Sequence, residues 1–364
     1  MLYEKRNVRK KYKKRQVLYF FYTYLIEKTG KLWYNSINDK NHRRGSIEMR
    51  NYAITTDSNS DLSKEYIDKN HIGVIPCFYE IDNIVYGEKV CLKPNDFYKK
   101  MQEGSIPKTQ SCNIEKIKQI FREYLREGLD ILHISTTQCF NTGFENLKQA
   151  VNELQIEFPE ATIIVLDSAT ISVGLASMIM RAVAMKNNGK TMEEIQACIE
   201  KRRTGFWSVV FLSDLQYLSK LGLLQEKELR LRQFVKMYPV IVINEKGFCY
   251  KIKDMRNSRK AFIKMIKIME HRLGTMREEV LPFCVLHGNV PERAKEVSAY
   301  LTRRYPNSSV VIQNANPELA SKLGRGMLGI CLMGEYHDNI GEQYEQVSSE
   351  KGGQHRVSKY NSFE

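Results

Sequence analysis

Polar side chains follow two apolar stretches of this chain, and they are the residues whose types could do chemistry. Asp57 stands in the run Thr56-Asp57-Ser58-Asn59-Ser60-Asp61, and Asp167 with Ser168 follows the apolar run 162–166. In open α/β folds, loops after the carboxyl ends of strands form ligand sites. Two aspartates that meet there could form an acid–base pair or a metal site. Alternatively, the first run caps a helix, and both carboxylates accept hydrogen bonds from backbone amides.

Neither aspartate is accompanied by a recognisable catalytic motif. The sequence contains no nucleophile elbow, no glycine-rich phosphate loop, and no His and Cys at metal-ligand spacing. We therefore expect a protein that is not an enzyme, with no catalytic residue, no metal and no cofactor. A phosphoryl-transfer enzyme is the weaker alternative, because it needs both a phosphate loop and metal-binding carboxylates.

Alternating strands and helices must position these loops, and the pattern predicts an α/β protein of two domains. We expect an N-terminal domain over 49–204, with a mostly parallel sheet covered by helices, and a C-terminal α/β domain with a mixed sheet over 205–340. Strands are predicted over 51–55, 72–80, 130–135, 162–166, 206–211, 239–244, 248–252 and 281–287. Helices are predicted over 93–104, 114–127, 143–157, 172–186, 191–203, 259–273 and 291–304. The segment 107–113 is predicted to be a polar loop.

The net charge of +14 belongs mainly to the start of the chain. The first 50 residues hold 14 of the 56 Lys and Arg but 4 of the 42 Asp and Glu, a charge of +10 that leaves +4 for the rest. This distribution argues against a nucleic-acid-binding protein. Residues 1–48 form a basic and aromatic extension that is either dispensable, a transient membrane-surface arm or an export signal. Translation starting at Met49 fits the first interpretation, and 341–364 is expected to be a loose polar tail.

Composition fits a globular protein with a sizeable core. The chain has 364 residues, of which 42% are hydrophobic, and no apolar run approaches the roughly 20 residues that span a bilayer. The eight Cys are scattered without the close spacing of a zinc or redox pair. We expect reduced thiols and a cytoplasmic protein.

The order of several short motifs resembles the DegV family of bacterial fatty-acid-binding proteins. The motifs are 56–62, Ile75-Pro76, Phe97-Tyr98, Pro107-Lys108-Thr109, 128–135, 165–168, 213–218, Pro239 with Gly247, Met255-Arg256, His287 and 323–330. They span about residues 50 to 335, and their collinear order is more specific than any one of them. The resemblance implies two α/β domains, with an acyl chain inside one and its carboxylate near the domain junction. It also implies a kinase partner that phosphorylates the bound palmitate- or oleate-like fatty acid.

Carried over by position, the resemblance implies a set of ligand-binding residues. Thr109 keeps the family's carboxylate-binding threonine. The family's paired serines align with Thr137 and Gln138, and Asn141 begins the segment that aligns with its Ser-Gly-Thr triplet. The family's C-terminal histidine aligns with Lys322, which could pair with a carboxylate as a fixed charge.

Other roles for these residues stay open. Thr109 could cap the helix near residue 114, Thr137 and Gln138 could cap a helix, and Lys322 could be a solvated or ion-paired surface lysine. Arg256 matches an arginine on the family's kinase-facing side. The changed positions leave room for another amphiphile as ligand, without a kinase partner.

Two histidines are expected to be structural. His133 lies within an apolar strand, where a core residue with satisfied hydrogen bonds is expected, and His287 ends a predicted strand.

Overall fold

Strands and helices alternate through most of the chain, as the spacing of its apolar residues predicts. A computed structural model describes residues 50–88, 90, 92–138, 143–203, 205–215, 217, 237–243, 249–273 and 283–333. In chain order the elements are β1 (Tyr52–Asp57), α1 (Lys64–Lys69), β2 (Gly73–Ile75), β3 (Phe78–Ile81), β4 (Ile84–Tyr86), α2 (Pro94–Gln102), β5 (Lys108–Gln110), α3 (Ile114–Arg126), β6 (Asp130–Ser135), α4 (Phe144–Glu157), β7 (Ile163–Asp167), α5 (Val173–Asn187), α6 (Met192–Arg203), β8 (Phe206–Phe211), β9 (Tyr238–Ile243), β10 (Cys249–Met255), α7 (Ser258–Leu273), β11 (Phe283–His287), α8 (Pro291–Arg304), β12 (Val310–Asn314), α9 (Pro317–Leu323) and β13 (Leu328–Met333).

The first sheet has four parallel strands in the order β2-β1-β6-β7. Every residue of β1 and β6 is buried, as expected for strands covered by helices on both faces. On one face, Ile54 and Leu132 pack with α5 and α6. On the other face, Ile131 packs with Phe121 of α3 and Leu147 of α4. The predicted parallel sheet covered by helices is confirmed.

The second sheet has six strands in the order β10-β9-β8-β13-β11-β12. Strands β11 and β12 run parallel, whereas the other neighbouring pairs run antiparallel. Helices α7 and α8 cover one face, where Met265 and Met269 of α7 and Leu301 of α8 are buried with Val285 of β11. The predicted mixed sheet is therefore confirmed.

A third, small antiparallel sheet of β4-β3-β5 packs against the second sheet. Tyr79 and Phe97, from β3 and α2, belong to the same buried apolar cluster as Ile241 and Leu286 of the second sheet. The hydroxyl of Tyr98 donates a 3.1 Å hydrogen bond to the carbonyl of Ala315. Residues 78–110 thus tie the two halves of the chain together, and the predicted boundary near 204 stays a prediction.

Two local predictions are wrong in this region. The single strand expected over 72–80 is two strands, because the chain leaves the first sheet after Ile75 and enters the small sheet at Phe78. Pro76 lies in the break, where its missing backbone amide removes no ladder hydrogen bond. The polar loop expected over 107–113 contains β5, whose Thr109 pairs with Tyr79 of β3. Strand pairing, rather than apolar character, makes this segment extended.

The predicted extension 1–48 and tail 341–364 lie outside the described residues. None of the helices in the described ranges combines the length and the apolar character needed to cross a bilayer.

Candidate functional site

Two clefts open where the ends of β1 and β6 meet α9. The first cleft lies between Ser172 and Lys322 and encloses about 210 Å³, counting space open to solvent. The second cleft lies between Cys77, His133 and Leu147 and encloses about 350 Å³ on the same basis. Glu318 of α9 lines both clefts. Residues that are far apart in the sequence therefore meet at one place, the junction between the first sheet and α9.

Asp57 organises the loop that follows β6. Its buried carboxylate accepts hydrogen bonds from the Thr136 amide at 2.7 Å and the Thr136 hydroxyl at 2.8 Å. It also accepts from the Asn59 amide at 3.0 Å and the Ser135 hydroxyl at 3.3 Å. Burial raises the pKa of Asp57 to about 6, which these donors oppose, and the charge of Glu318 raises it further. Asp57 thus holds the site-forming loops in place, as one of the two sequence interpretations predicted.

Asp167, like Asp57, accepts hydrogen bonds from backbone amides of nearby loops. It accepts hydrogen bonds from the Ala169 amide at 2.7 Å and the Gln138 amide at 3.4 Å, and burial raises its pKa. Strand β6 lies between the strands that carry Asp57 and Asp167, so two strand spacings, about 10 Å, separate them. Each carboxylate accepts from its own set of donors, and the hypothesis of an acid–base or metal-binding pair gains no support from this placement. In the described ranges, no group of three His, Cys, Asp or Glu side chains could hold a metal ion.

Asp61 connects the first sheet to α9. Its carboxylate accepts from the Ser172 hydroxyl at 2.5 Å and from the Asn316 side-chain amide at 3.3 Å. Asn316 also caps α9, since its side-chain oxygen accepts from the Leu319 amide at 2.8 Å. Burial raises the pKa of Asp61 to about 6. The sequence run pointed to Asp61 as a cap, but it did not reveal this bridge to the C-terminal half.

Lys322 lies in the junction rather than on the surface. Its side chain is 4% exposed, and its Nζ lies 3.3 Å from Oε1 of Glu318, one helical turn earlier on α9. It lines the first cleft. In the alternative of a solvated or ion-paired surface lysine, the surface position is therefore wrong and the ion pair is right, and pairing with Glu318 allows burial of the charge. Sequence reasoning missed Glu318, although its spacing of four residues from Lys322 is typical of a helical ion pair.

Thr109 is not the cap of the helix that follows it. Thr109 lies half-buried in β5, next to Gln110 and Ser111 of the second cleft. Asn113, not Thr109, caps α3, because its side chain accepts from the Lys116 amide at 2.8 Å. The structure thus leaves the ligand-binding prediction for Thr109 open.

Thr137 and Gln138 lie in the loop after β6. Thr137 is fully buried, with its amide donating to the Thr170 carbonyl at 3.0 Å, and Gln138 is exposed. Neither caps α4, which follows Gly143 without a side-chain cap. Asn141 lies outside the described residues, and Arg256 is exposed directly after β10, an edge strand of the second sheet. Their proposed binding roles stay predictions.

Both histidines make structural hydrogen bonds, but the expectation that those of His133 are all satisfied is wrong, because its buried Nε2 has no partner among the described residues. His133 is fully buried, with its Nδ1 3.0 Å from the Thr55 hydroxyl, and burial lowers its pKa to about 3, so the ring is neutral. It also lines the second cleft, which the sequence did not predict. Nδ1 of His287 accepts from the Val290 amide at 3.2 Å, as its predicted structural role requires.

The fold and the junction together define a class of protein: a two-domain α/β protein with a buried polar site where its sheets meet. The chain belongs to the DegV family, because that family's model, described as "uncharacterised protein, DegV family", matches residues 51–335. A DegV domain-containing protein of Clostridium perfringens is 24% identical over 292 residues, covering 79% of this chain and 99% of the relative.

Solved structures of the same fold come from several bacteria. A DegV family protein of Thermus thermophilus described by its fatty acid binding has a TM-score of 0.66 and 20% identity, covering 79% of this chain and 100% of that one. A stearic-acid-binding protein of Eubacterium ventriosum has a TM-score of 0.67 and 21% identity, covering 81% and 99%. The fatty-acid-binding DegV of Bacillus subtilis has a TM-score of 0.67 and 20% identity, covering 79% and 100%. At these identities the likeness establishes the fold.

Proposed function

We propose that this protein binds a long-chain fatty acid, of the palmitate or oleate kind, and presents its carboxylate to a kinase partner that forms the acyl phosphate. The observation that carries the proposal is a buried lysine, Lys322, at the junction of a fold whose relatives are described as fatty-acid-binding. The binding protein itself does no chemistry, and the lipid is its ligand rather than a cofactor.

The acyl chain is proposed to enter at the second cleft, whose side chains must move apart to admit it. Its lining combines apolar side chains, Ile75, Ile117 and Leu147, with polar groups at the junction. An acyl chain gains about 0.8 kcal/mol for each methylene that it buries, so most of the affinity comes from the chain. A few hydrogen-bond donors then suffice to fix the carboxylate.

The proposed head-group donors are the residues predicted from the sequence. Thr109, Thr137, Gln138 and Asn141 contribute hydroxyl and amide donors, and Lys322 contributes an ammonium group. Arg256 is proposed to contact the kinase, since it is exposed at the edge of the second sheet. The protein works in the cytoplasm, touches the membrane surface transiently to exchange lipid, and does not bind nucleic acid.

A second candidate ligand is an amphiphile with an uncharged head group, bound without a kinase partner. The buried carboxylate of Glu318 favours this alternative, because it lies 3.3 Å from Lys322 and lines both clefts.

Displacement of a fluorescent C18 fatty acid by oleate tests the proposal. Thr109→Ala should weaken oleate binding about tenfold, the loss of one charge-assisted hydrogen bond of about 1.4 kcal/mol, without unfolding the protein. Thr302→Ala on α8 is the matched control, because Thr302 is exposed and its hydroxyl donates to the Ser298 carbonyl within the same helix. Equal oleate affinity of the two variants would remove Thr109 from the site.

A further inference from the structure

Glu318 is a buried carboxylate whose two oxygens have different surroundings. The residue is 6% exposed, and Oε1 lies 3.3 Å from Nζ of Lys322. Within the described part of the chain, Oε2 has no partner at full hydrogen-bond geometry, and the Cys77 thiol is the one further hydrogen-bonding neighbour of this carboxylate. Because a buried carboxylate oxygen without a full hydrogen bond is costly, this position is not explained by helix stability alone.

Three titratable groups face Glu318. Lys322 approaches it from α9, the Asp57 carboxylate from the end of β1, and the Cys77 thiol from the segment between β2 and β3. Burial raises the pKa of Cys77 well above its usual value, so the thiol stays neutral, and Glu318 adds to this effect. Among the described residues that line the two clefts, Lys322 carries the positive charge, and the buried His133 is neutral.

Two arrangements are open to a ligand at this junction. A ligand carboxylate that pairs with Lys322 must displace Glu318, or else add a further negative charge beside Glu318 and Asp57. An uncharged head group of the same chain length leaves the Glu318–Lys322 pair intact. The ion pair therefore opposes the binding of an anionic head group and leaves the binding of an uncharged head group unaffected.

We propose that Glu318 is a specificity-determining residue of the head-group site. It forms an ion pair with the ammonium group of Lys322 and so disfavours binding of an anionic head group relative to an uncharged one. This inference rests on the proposed function, since it assumes that an acyl ligand places its head group at the junction. A fatty carboxylate binds Lys322 by replacing Glu318, and its affinity is lower than the lysine alone would give.

The test compares oleate with oleyl alcohol, which has the same chain and an uncharged head group. Dissociation constants are measured by displacement of a fluorescent C18 probe, on the full chain, for wild type and for Glu318→Gln. We expect Glu318→Gln to raise the preference for oleate over oleyl alcohol at least tenfold. Glu194→Gln is the control, because exposed Glu194 near the start of α6 forms an ion pair with Lys190, four positions earlier in the chain. It should leave the preference unchanged.

A double variant shows whether the gain in preference for oleate depends on Lys322. Glu318→Gln combined with Lys322→Met should return the preference to within about threefold of wild type, less than the tenfold that 1.4 kcal/mol represents. If circular dichroism shows that the Glu318→Gln variant is unfolded, Glu318→Met is used instead, because methionine is an uncharged side chain of similar length.

The outcomes separate this inference from the proposed function. An unchanged oleate preference in a folded Glu318 variant overturns the inference while fatty acid binding stands. A tenfold gain that persists without Lys322 overturns it as well. If neither C18 compound binds wild type or any variant, the proposed function fails and takes the inference with it.

Discussion

The hydroxyl of Thr136 is expected to stabilise the folded protein because its acceptor is charged. Thr136 is 1% exposed, and its hydroxyl donates to Oδ1 of Asp57 at 2.8 Å. Thr136→Val keeps the shape and the 2.7 Å amide donor but removes this bond. A hydrogen bond to a charged group contributes about 1.5–3 kcal/mol, so we expect the free energy of unfolding to fall by about 2 kcal/mol at pH 7.5.

Thr56→Val provides a matched control for this change. Thr56 is fully buried, and its hydroxyl donates at the same distance, 2.8 Å, to a neutral acceptor, the Ile134 carbonyl. A neutral hydrogen bond contributes about 1 kcal/mol, so Thr56→Val should cost about half as much. The two variants differ in the charge of the acceptor and share burial and the change in shape.

Urea unfolding followed by circular dichroism measures both losses, with the free energy extrapolated linearly to water. The pKa of Asp57 is about 6, so at pH 5 most of its folded-state charge is lost and the cost of Thr136→Val should shrink toward that of Thr56→Val. Equal losses for the two variants at pH 7.5, or a Thr136→Val loss that does not depend on pH, would refute the account of Asp57 as a buried charged anchor.

Two further predictions concern stability. Because burial raises the folded-state pKa of Asp57 from 3.8 to about 6, the protonated folded state is favoured below pH 4, and this stability is lost as pH rises through about 6. Urea unfolding at pH 4 and 7.5 should show wild type losing up to about 3 kcal/mol more than Asp57→Asn over this range; a pH-independent difference between the two proteins would contradict it. Phe97→Ala should lower the free energy of unfolding by about 3–5 kcal/mol, because Phe97 is fully buried between the small sheet and the second sheet. Thermal unfolding measures this loss, with Ile156→Ala as the control because Ile156 is exposed. A loss below about 1 kcal/mol would mean that this cluster does not tie the halves together.

Much of the fold follows from local sequence patterns. The apolar run at 130–135, bounded by Gly128 and Ser135-Thr136, predicts a buried strand, and β6 occupies that range with every residue buried. Helix α3 begins after Asn113 and ends just before Gly128, close to the predicted range. Where periodicity and turn residues agree, the sequence is sufficient.

The remaining errors of the sequence-based predictions come from contacts between segments that are distant in the sequence. Strand β5 is polar, so its extended form depends on pairing with β3, which no local pattern reveals. The short α9 was not predicted, and with it Glu318 was missed. A lysine is expected at the surface unless it is paired, and the burial of Lys322 became visible once α9 was placed against the first cleft.

The loops around the candidate site were predicted from the sequence, whereas the contacts between them were not. The sequence pointed to the loops after β1 and β6, and Asp57 with Thr136 lies in these loops. It did not reveal that Asp61 reaches Asn316 across the junction, because that contact joins residues 255 positions apart. Contacts between distant loops depend on how sheets pack, which propensities do not encode.

Native mass spectrometry of the full chain purified from bacteria tests the central claim, fatty acid binding, most directly. We predict a population whose mass exceeds that of the chain by one C16 or C18 fatty acid, released on denaturation and restored by added oleate or palmitate. A clean mass of the chain alone, with no uptake of either added fatty acid, would contradict it.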